Sequence, residues 1–179
     1  MELNERLLKR EEVFSGRILH VYKDTVRLPN GQTALREVAE HPGAVAIVAV
    51  DDFEQVLLVR QYRHAIGREL LEIPAGKPEA GETPLQSAQR ELWEETGASA
   101  KQWTDLGHIY AAPGCYSECI SLFLAKGLSF GQSHPDADEF LQVQRFPLTQ
   151  AILWAENGQL EDGKSTAALL RAKPLLTKE

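Results

Sequence analysis

The sequence predicts an α/β protein, with a short N-terminal β-segment ahead of a larger α/β body. Three observations carry that expectation. Two runs of apolar β-formers, GAVAIVAV (residues 43–50) and QVLLVRQYR (residues 55–63), are split by Asp51-Asp52 and read as a hairpin containing buried sheet. The stretch TPLQSAQRELWEETG carries helix punctuation at both ends. The first forty residues mix apolar and polar β-formers with a Pro-Asn-Gly turn signal, which reads as short strands and turns.

Taken in order, VFSGRILHVYKDTVRLPNG and LREVAEHPG supply the N-terminal strands, and residues 43–63 supply the hairpin. ELLEIPAGKPEAGE (residues 69–82) is rich in Gly and Pro and reads as a loop. The helix predicted next runs over Pro84–Thr96. Thr83 caps it, Pro84 suits its first position, Gln86 completes a capping box and Gly97 suits its end. Strands are expected near residues 105–111 and 120–125, with an Ala-Pro-Gly loop between them, and again at 140–146. Helices are expected over about 149–157 and 165–173. No repeat or low-complexity linker is present. We therefore divide the chain into residues 1–42, the β-segment, and residues 43–179, the main body.

Composition narrows the function. The 179 residues suit one domain with a proper core, with room for a small appendage. The formal charge of −7 argues against a general binder of nucleic acid or anionic membrane. Phosphates remain possible ligands if a metal supplies positive charge locally. The start, MELNERLLKREE, has no apolar signal segment, and no run approaches the ~20 residues that a spanning helix needs. A cytoplasmic protein without a membrane partner is expected. Cys115 and Cys119 are few for a disulfide scaffold and lack the neighbours of a four-ligand zinc site, so both are read as free thiols. The five histidines form no pair at ligand spacing.

Three glutamates, Glu91, Glu94 and Glu95, fall on one face of the predicted helix. Leu85, Ala88 and Leu92 fall on an adjacent face that can bury. Like charges at this spacing cost only a few tenths of a kcal/mol per pair, so a solvated acidic face is one reading. Carboxylates grouped on a rigid helix also make a site for a hard divalent cation, Mg²⁺ first or Mn²⁺. The preceding loop decides between them. From Gly76 the chain reads GKPEAGETPLQSAQRELWEETGA, which fits G-x5-E-x7-R-E-U-x-E-E-x-G-U, with U a bulky aliphatic. Gly76, Glu82, Arg90, Glu91, Leu92, Glu94, Glu95 and Gly97 fill the named places, and only Ala98 at the last one is small. By average residue usage the fixed positions match by chance on the order of once in a million chains of this length.

This pattern resembles the signature box of the Nudix hydrolase family. The resemblance implies an α/β/α sandwich with a mixed central sheet, and hydrolysis of a nucleoside diphosphate linked to another group. It implies metal ligands at Glu91, Glu94, Glu95 and the carbonyl of Ala75, the residue before the box glycine. Arg90 is then expected to hold carboxylates by forked hydrogen bonds, with Glu82 as one partner. Glu94 and Arg90 count among the residues that carry the reaction.

Features outside the box point to one branch of the family. VRQYRHAIGRELLEIPAG and IPAGKPEAGE look like the ADP-sugar pyrophosphatase branch. Pro113, 16 residues past Gly97 in AAPGCYSE, resembles the proline that marks the ADP-ribose group, and Gly114 goes with it as a substrate contact. By position, Arg36 and Arg63 are candidates for gripping the nucleotide or its phosphates; ordinary surface charge is the alternative for both. The catalytic base in this branch comes from a late acidic loop, here HPDADEFLQV, in which Glu139 is favoured over Asp136 and Asp138. The N-terminal strands resemble a dimerising segment, so a homodimer is expected. The function implied is Mg²⁺-dependent hydrolysis of ADP-ribose, a nucleoside diphosphate sugar, to AMP and ribose 5-phosphate. ADP-glucose, GDP-mannose or an oxidised nucleotide are alternative substrates, and a sensor that binds ADP-ribose without cleaving it is a more distant alternative.

One further motif is set aside. GQLEDGKS (residues 158–165) matches the phosphate-binding G-x4-G-K-[ST] pattern, but the segment before it reads as helix rather than strand. Glu161 and Asp162 would sit where amides should meet phosphate. It is read as a loop between helices.

Overall fold

A computed structural model describes residues 3–134 and 140–176. The chain divides into two units. One combines the residues up to Gly43 with Tyr110–Cys119; the other combines Ala44–Ile109 with the residues from Ile120 onward.

In the larger unit the apolar run expected as buried sheet forms β4 (Ala44–Val50), and every residue from Val45 to Val50 is buried. Successive side chains of a strand point to opposite faces. Val45, Ile47 and Ala49 therefore pack with Ala88 and Leu92 of helix α1 (Pro84–Thr96). Ala46, Val48 and Val50 pack with Ile152 and Ala155 of α2 (Leu148–Asn157) and with Ala168 and Leu169 of α3 (Gly163–Leu176). Helices cover both faces, as the sandwich requires. β5 (Gln55–Arg63) follows β4 through a turn in which Asp51 Oδ1 accepts from the N–H groups of Phe53 and Gln55 at 2.9 Å each. This explains why an aspartate interrupts the apolar pattern there.

The sheet is completed by β6 (Arg68–Glu72), β7 (Ala75–Gly76), β8 (Ala98–Tyr110), β9 (Cys119–Phe130) and β10 (Leu141–Pro147). Its order is β10-β5-β4-β9-β8, with β6 on β5 and β7 on β4. β4 and β9 are parallel while β5 and β10 are antiparallel, so the sheet is mixed.

Several expectations need correction. Residues 69–82 are not one loop: Glu69–Glu72 lie in β6, paired from Val59↔Glu72 to Arg63↔Arg68, and Ala75 and Gly76 pair with Ala46 and Val45. Gly and Pro punctuate this stretch without preventing short pairings at their flanks. β8 begins at Ala98, immediately after the helix, rather than near Asp105, and β9 runs on to Phe130. Trp103 of β8 meets Phe123 of β9 edge-on at 6.3 Å. α3 continues to Leu176 past Pro174, which lies in its last turn, where a missing N–H disturbs little that follows. Leu85 is exposed rather than in the core, because it sits in the first turn of α1, outside the stretch that Ala88 and Leu92 bury.

The smaller unit is an antiparallel sheet in the order β1-β2-β3, formed by β1 (Arg6–Ser15), β2 (His20–Arg27) and β3 (Thr33–Glu40). The Pro-Asn-Gly turn joins β2 to β3, with Gly31 at φ +85°, which favours glycine. Arg10 of β1 forks onto the buried Asp24 of β2 at 2.8 and 2.7 Å and lies 4.3 Å over the Tyr22 ring. The segment Tyr110–Cys119 is tied to the end of β3: Ala39 N–H donates to Cys115 O at 2.8 Å, and Ser117 N–H donates to Ala39 O at 3.0 Å. Cys115 and Cys119 are free thiols. Among the described residues no helix is long and apolar enough to cross a membrane.

Candidate active site

Local chemistry fixes the helix that carries the glutamates. Thr83 Oγ1 accepts from Gln86 N–H, and the Gln86 side chain accepts from Thr83 N–H at 2.9 Å, which completes the expected capping box with Pro84 in the first turn. At the other end Gly97 has φ +68° and donates its N–H to Trp93 O at 2.8 Å. An added Cβ there would also meet Gly131 O at 2.5 Å, because residues 131–134 run against this end of α1. Gly131 N–H donates to Gly97 O at 2.7 Å and His134 N–H donates to Glu94 O at 2.9 Å.

The three glutamates do not simply face outward. Glu91 and Glu95 are buried, and only Glu94 keeps a third of its side chain exposed. The reason is β7, which the helix period cannot reveal. Ala75 N–H donates to Glu95 Oε2 at 3.2 Å, and Glu91 lies directly over Gly76. A Cβ on Gly76 would stand 2.0 Å from Glu91 Cδ. The box glycine is therefore required by space: its missing side chain is where the Glu91 carboxylate rests.

Arg90 holds the cluster together. Its Nε and Nη2 fork onto Glu82 at 2.9 and 3.0 Å, and Nη2 also donates to Lys77 O at 2.8 Å. Its Nη1 bridges Glu91 Oε1 at 2.9 Å and Glu94 Oε2 at 2.8 Å. One guanidinium thus ties the loop before the helix to two of its acids. The Arg90 fork, with help from the Glu79 N–H and the Ser87 hydroxyl, lowers the Glu82 pKa to about 2. A depressed carboxylate stabilises the fold fully above its ordinary pKa of 4.5, and that contribution is lost as the pH falls toward about 2. In Arg90→Met the Glu82 pKa should return toward the ordinary carboxylate range, as read by carbon NMR of the side-chain carboxyl. An unchanged titration would mean that Arg90 is not what holds Glu82 ionised.

The donor set suits a hard cation. It consists of carboxylate oxygens and nearby backbone carbonyls, and the charge it already binds, the Arg90 Nη1, sits between Glu91 and Glu94 as a metal ion can. Among the described residues no three His, Cys, Asp or Glu side chains converge on one point. An ion held here would have to displace Arg90 from these oxygens or use the opposite ones.

The remaining candidates fall in both units. Arg63 ends β5 and forks onto the buried Glu72 at 2.7 Å on each arm. It belongs to the same unit as Ala75, Arg90, Glu91, Glu94 and Glu95. Arg36 on β3 pairs with Glu5 in the smaller unit, which also holds Pro113 and Gly114. Glu139, with Asp136 and Asp138, lies outside the described residues. Two residues near the site were not singled out from sequence: Glu72, and Lys164 bonded to it. The Lys164 signal was the G-x4-G-K-S match, set aside there as a phosphate loop. Its loop ends at Asp162, and Gly163 already opens α3.

Comparison with known proteins agrees with this geometry. The NUDIX domain model matches residues 39–169, and the model described as the nucleoside diphosphate sugar hydrolase N-terminal domain matches residues 5–39. The chain belongs to the Nudix family. It is similar to an ADP-ribose pyrophosphatase of Bacillus subtilis (strain 168), with 40% identity over 169 residues, covering 93% of this chain and 91% of that protein. It is equally similar to a methanol dehydrogenase activator of Bacillus methanolicus, with 40% identity over 92% of this chain and 90% of that one. A crystal structure described as an ADP compounds hydrolase superposes with a TM-score of 0.86 at 26% identity, covering 98% of this chain and 96% of that one.

Proposed function

We propose that this chain hydrolyses ADP-ribose to AMP and ribose 5-phosphate with Mg²⁺, or Mn²⁺, as cofactor. The observation that carries the proposal is the Arg90-centred carboxylate cluster packed over Gly76. The ADP-ribose pyrophosphatase relative supports the choice of substrate.

The reaction adds water across the diphosphate. The P–O–P bridge breaks, the water oxygen goes to one phosphorus and the bridging oxygen leaves with the other. Glu91, Glu94, Glu95 and the Ala75 carbonyl would hold the metal. Bound there, it would neutralise diphosphate charge and lower the pKa of a coordinated water. Arg90 keeps Glu91 and Glu94 in place while Glu82 anchors it. Arg63 and Arg36 offer the cationic grip that an anionic substrate needs from a chain of charge −7. Pro113 and Gly114 would line the substrate site, and Glu139 would take the water proton. The exposed Leu7, Leu8, Val13 and Phe14 of β1 favour the N-terminal segment, residues 1–42, as the contact of a homodimer. The setting proposed is the cytoplasm.

Chromatography of products from ADP-ribose, ADP-glucose and GDP-mannose at equal concentration with Mg²⁺ tests this. AMP should appear fastest from ADP-ribose. Faster cleavage of another compound would discard the substrate, and tight binding with no cleavage of any would discard catalysis.

A further inference from the structure

Glu72 is among the most buried polar side chains of the fold, 1% exposed, and it is bonded by two cations. Arg63 Nε and Nη2 donate to its two oxygens at 2.7 Å each. Lys164 Nζ donates to Glu72 Oε2 from the first turn of α3, and pairs with Asp162 at 3.0 Å. Burial pushes the Glu72 carboxyl upward, but the Arg63 fork and Lys164 outweigh it and hold the pKa low. The same turn of α3 is fastened a second time just past the end of β6, through Ile73 N–H donating to Ser165 Oγ at 2.8 Å.

The two cations differ in setting. Lys164 is nearly buried, whereas Arg63 keeps 40% of its side chain exposed. The fork uses Nε and Nη2 of Arg63 and not Nη1. The Glu72 fork is the main cause that holds the charge on Arg63, and Asp162 and Glu95 of the carboxylate cluster add to it electrostatically. A buried group of charges is weak evidence of a purely stabilising role, since apolar side chains of the same volume often serve a fold as well. A planar guanidinium locked on one edge, by contrast, is preorganised to present its other edge to phosphate oxygens.

We propose that Lys164, acting through Glu72, is a positioning residue that sets Arg63 for the diphosphate of the substrate, so that the lysine of the G-x4-G-K-S segment serves phosphate recognition at second hand. This deepens the proposed function and rests on it. Lys164 touches neither substrate nor metal; it holds the carboxylate that orients the arginine.

A double-mutant cycle tests the proposal, with kcat and KM measured for ADP-ribose in the wild type, Lys164→Met, Arg63→Ala and the double variant. Lys164→Met should raise KM about tenfold and leave kcat within about threefold. Lys164→Arg should restore KM to within about twofold of wild type. The double variant should match Arg63→Ala alone, since the lysine acts only through the arginine. Lys164→Gln takes the place of Lys164→Met if the latter does not fold. A wild-type KM in Lys164→Met or Lys164→Gln would overturn the proposal, as would a fall in thermal stability without a change in KM, or effects that multiply in the double variant. If the wild type cleaves another nucleoside diphosphate derivative faster, the substrate reading fails, and the same cycle on that compound still decides the role of Lys164. If it cleaves none, calorimetric binding of ADP-ribose to the four proteins replaces KM in the cycle.

Discussion

Glu95→Gln will keep its fold and lose about 100-fold or more in kcat for ADP-ribose. Glu95 is buried and accepts the Ala75 N–H, which ties α1 to the β7 strand. A glutamine at this position has the same shape, and its amide oxygen can still accept that bond. What it lacks is the negative charge. If the carboxylate serves structure, the amide should serve nearly as well; if it holds a divalent cation, the change removes a charged ligand. Circular dichroism and thermal unfolding should therefore match wild type while turnover collapses. Unchanged turnover would remove the metal-site reading of Glu95.

Gly76→Ala is the second change with a large expected effect, and it strikes from the opposite side. The added methyl would lie 2.0–2.3 Å from the three carboxyl atoms of Glu91. Glu91 must move, and it takes with it an acceptor of Arg90 Nη1. Overpacking of this kind costs about 1–3 kcal/mol of stability. Activity should suffer more than stability, by about 100-fold in kcat/KM, because Glu91, proposed as a metal ligand, no longer serves when displaced by an ångström. The protein should still fold, because Ala75 and Gly76 pair with Ala46 and Val45 through backbone atoms that an alanine keeps. Urea unfolding and steady-state kinetics on the same preparation separate the two effects. Wild-type kcat/KM in this variant would show that Glu91 need not rest over Gly76.

Much of this arrangement could be read before the fold was known, and the limits have physical causes. α1 was legible to the residue, because Thr83, Pro84, Gln86 and Gly97 act within one turn of the helix ends. β5 was legible because nine consecutive residues carry the pattern between an aspartate pair and a short turn. The shared face of Glu91, Glu94 and Glu95 follows from the helix period alone. Their burial does not, because it depends on where β7 docks, and a strand of two residues in a Gly- and Pro-rich stretch has no period to read. The role of Gly76 is likewise a matter of what lies above it, 15 residues further along the chain. Lys164 and Glu72 are separated by 92 residues, so no local pattern could join them. The G-x4-G-K-S match picked out the lysine through a phosphate-loop rule whose strand–loop–helix context is absent here.

We propose that the carboxylates of α1 hold a divalent cation, and Mn²⁺ binding tests it without reference to any substrate. Electron paramagnetic resonance of free Mn²⁺ during titration reports binding directly in the wild type and in Glu95→Gln. The wild type should bind Mn²⁺ saturably, in competition with Mg²⁺, and the affinity should weaken at least about tenfold in Glu95→Gln. Equal Mn²⁺ affinity in the two proteins, each correctly folded, would contradict it.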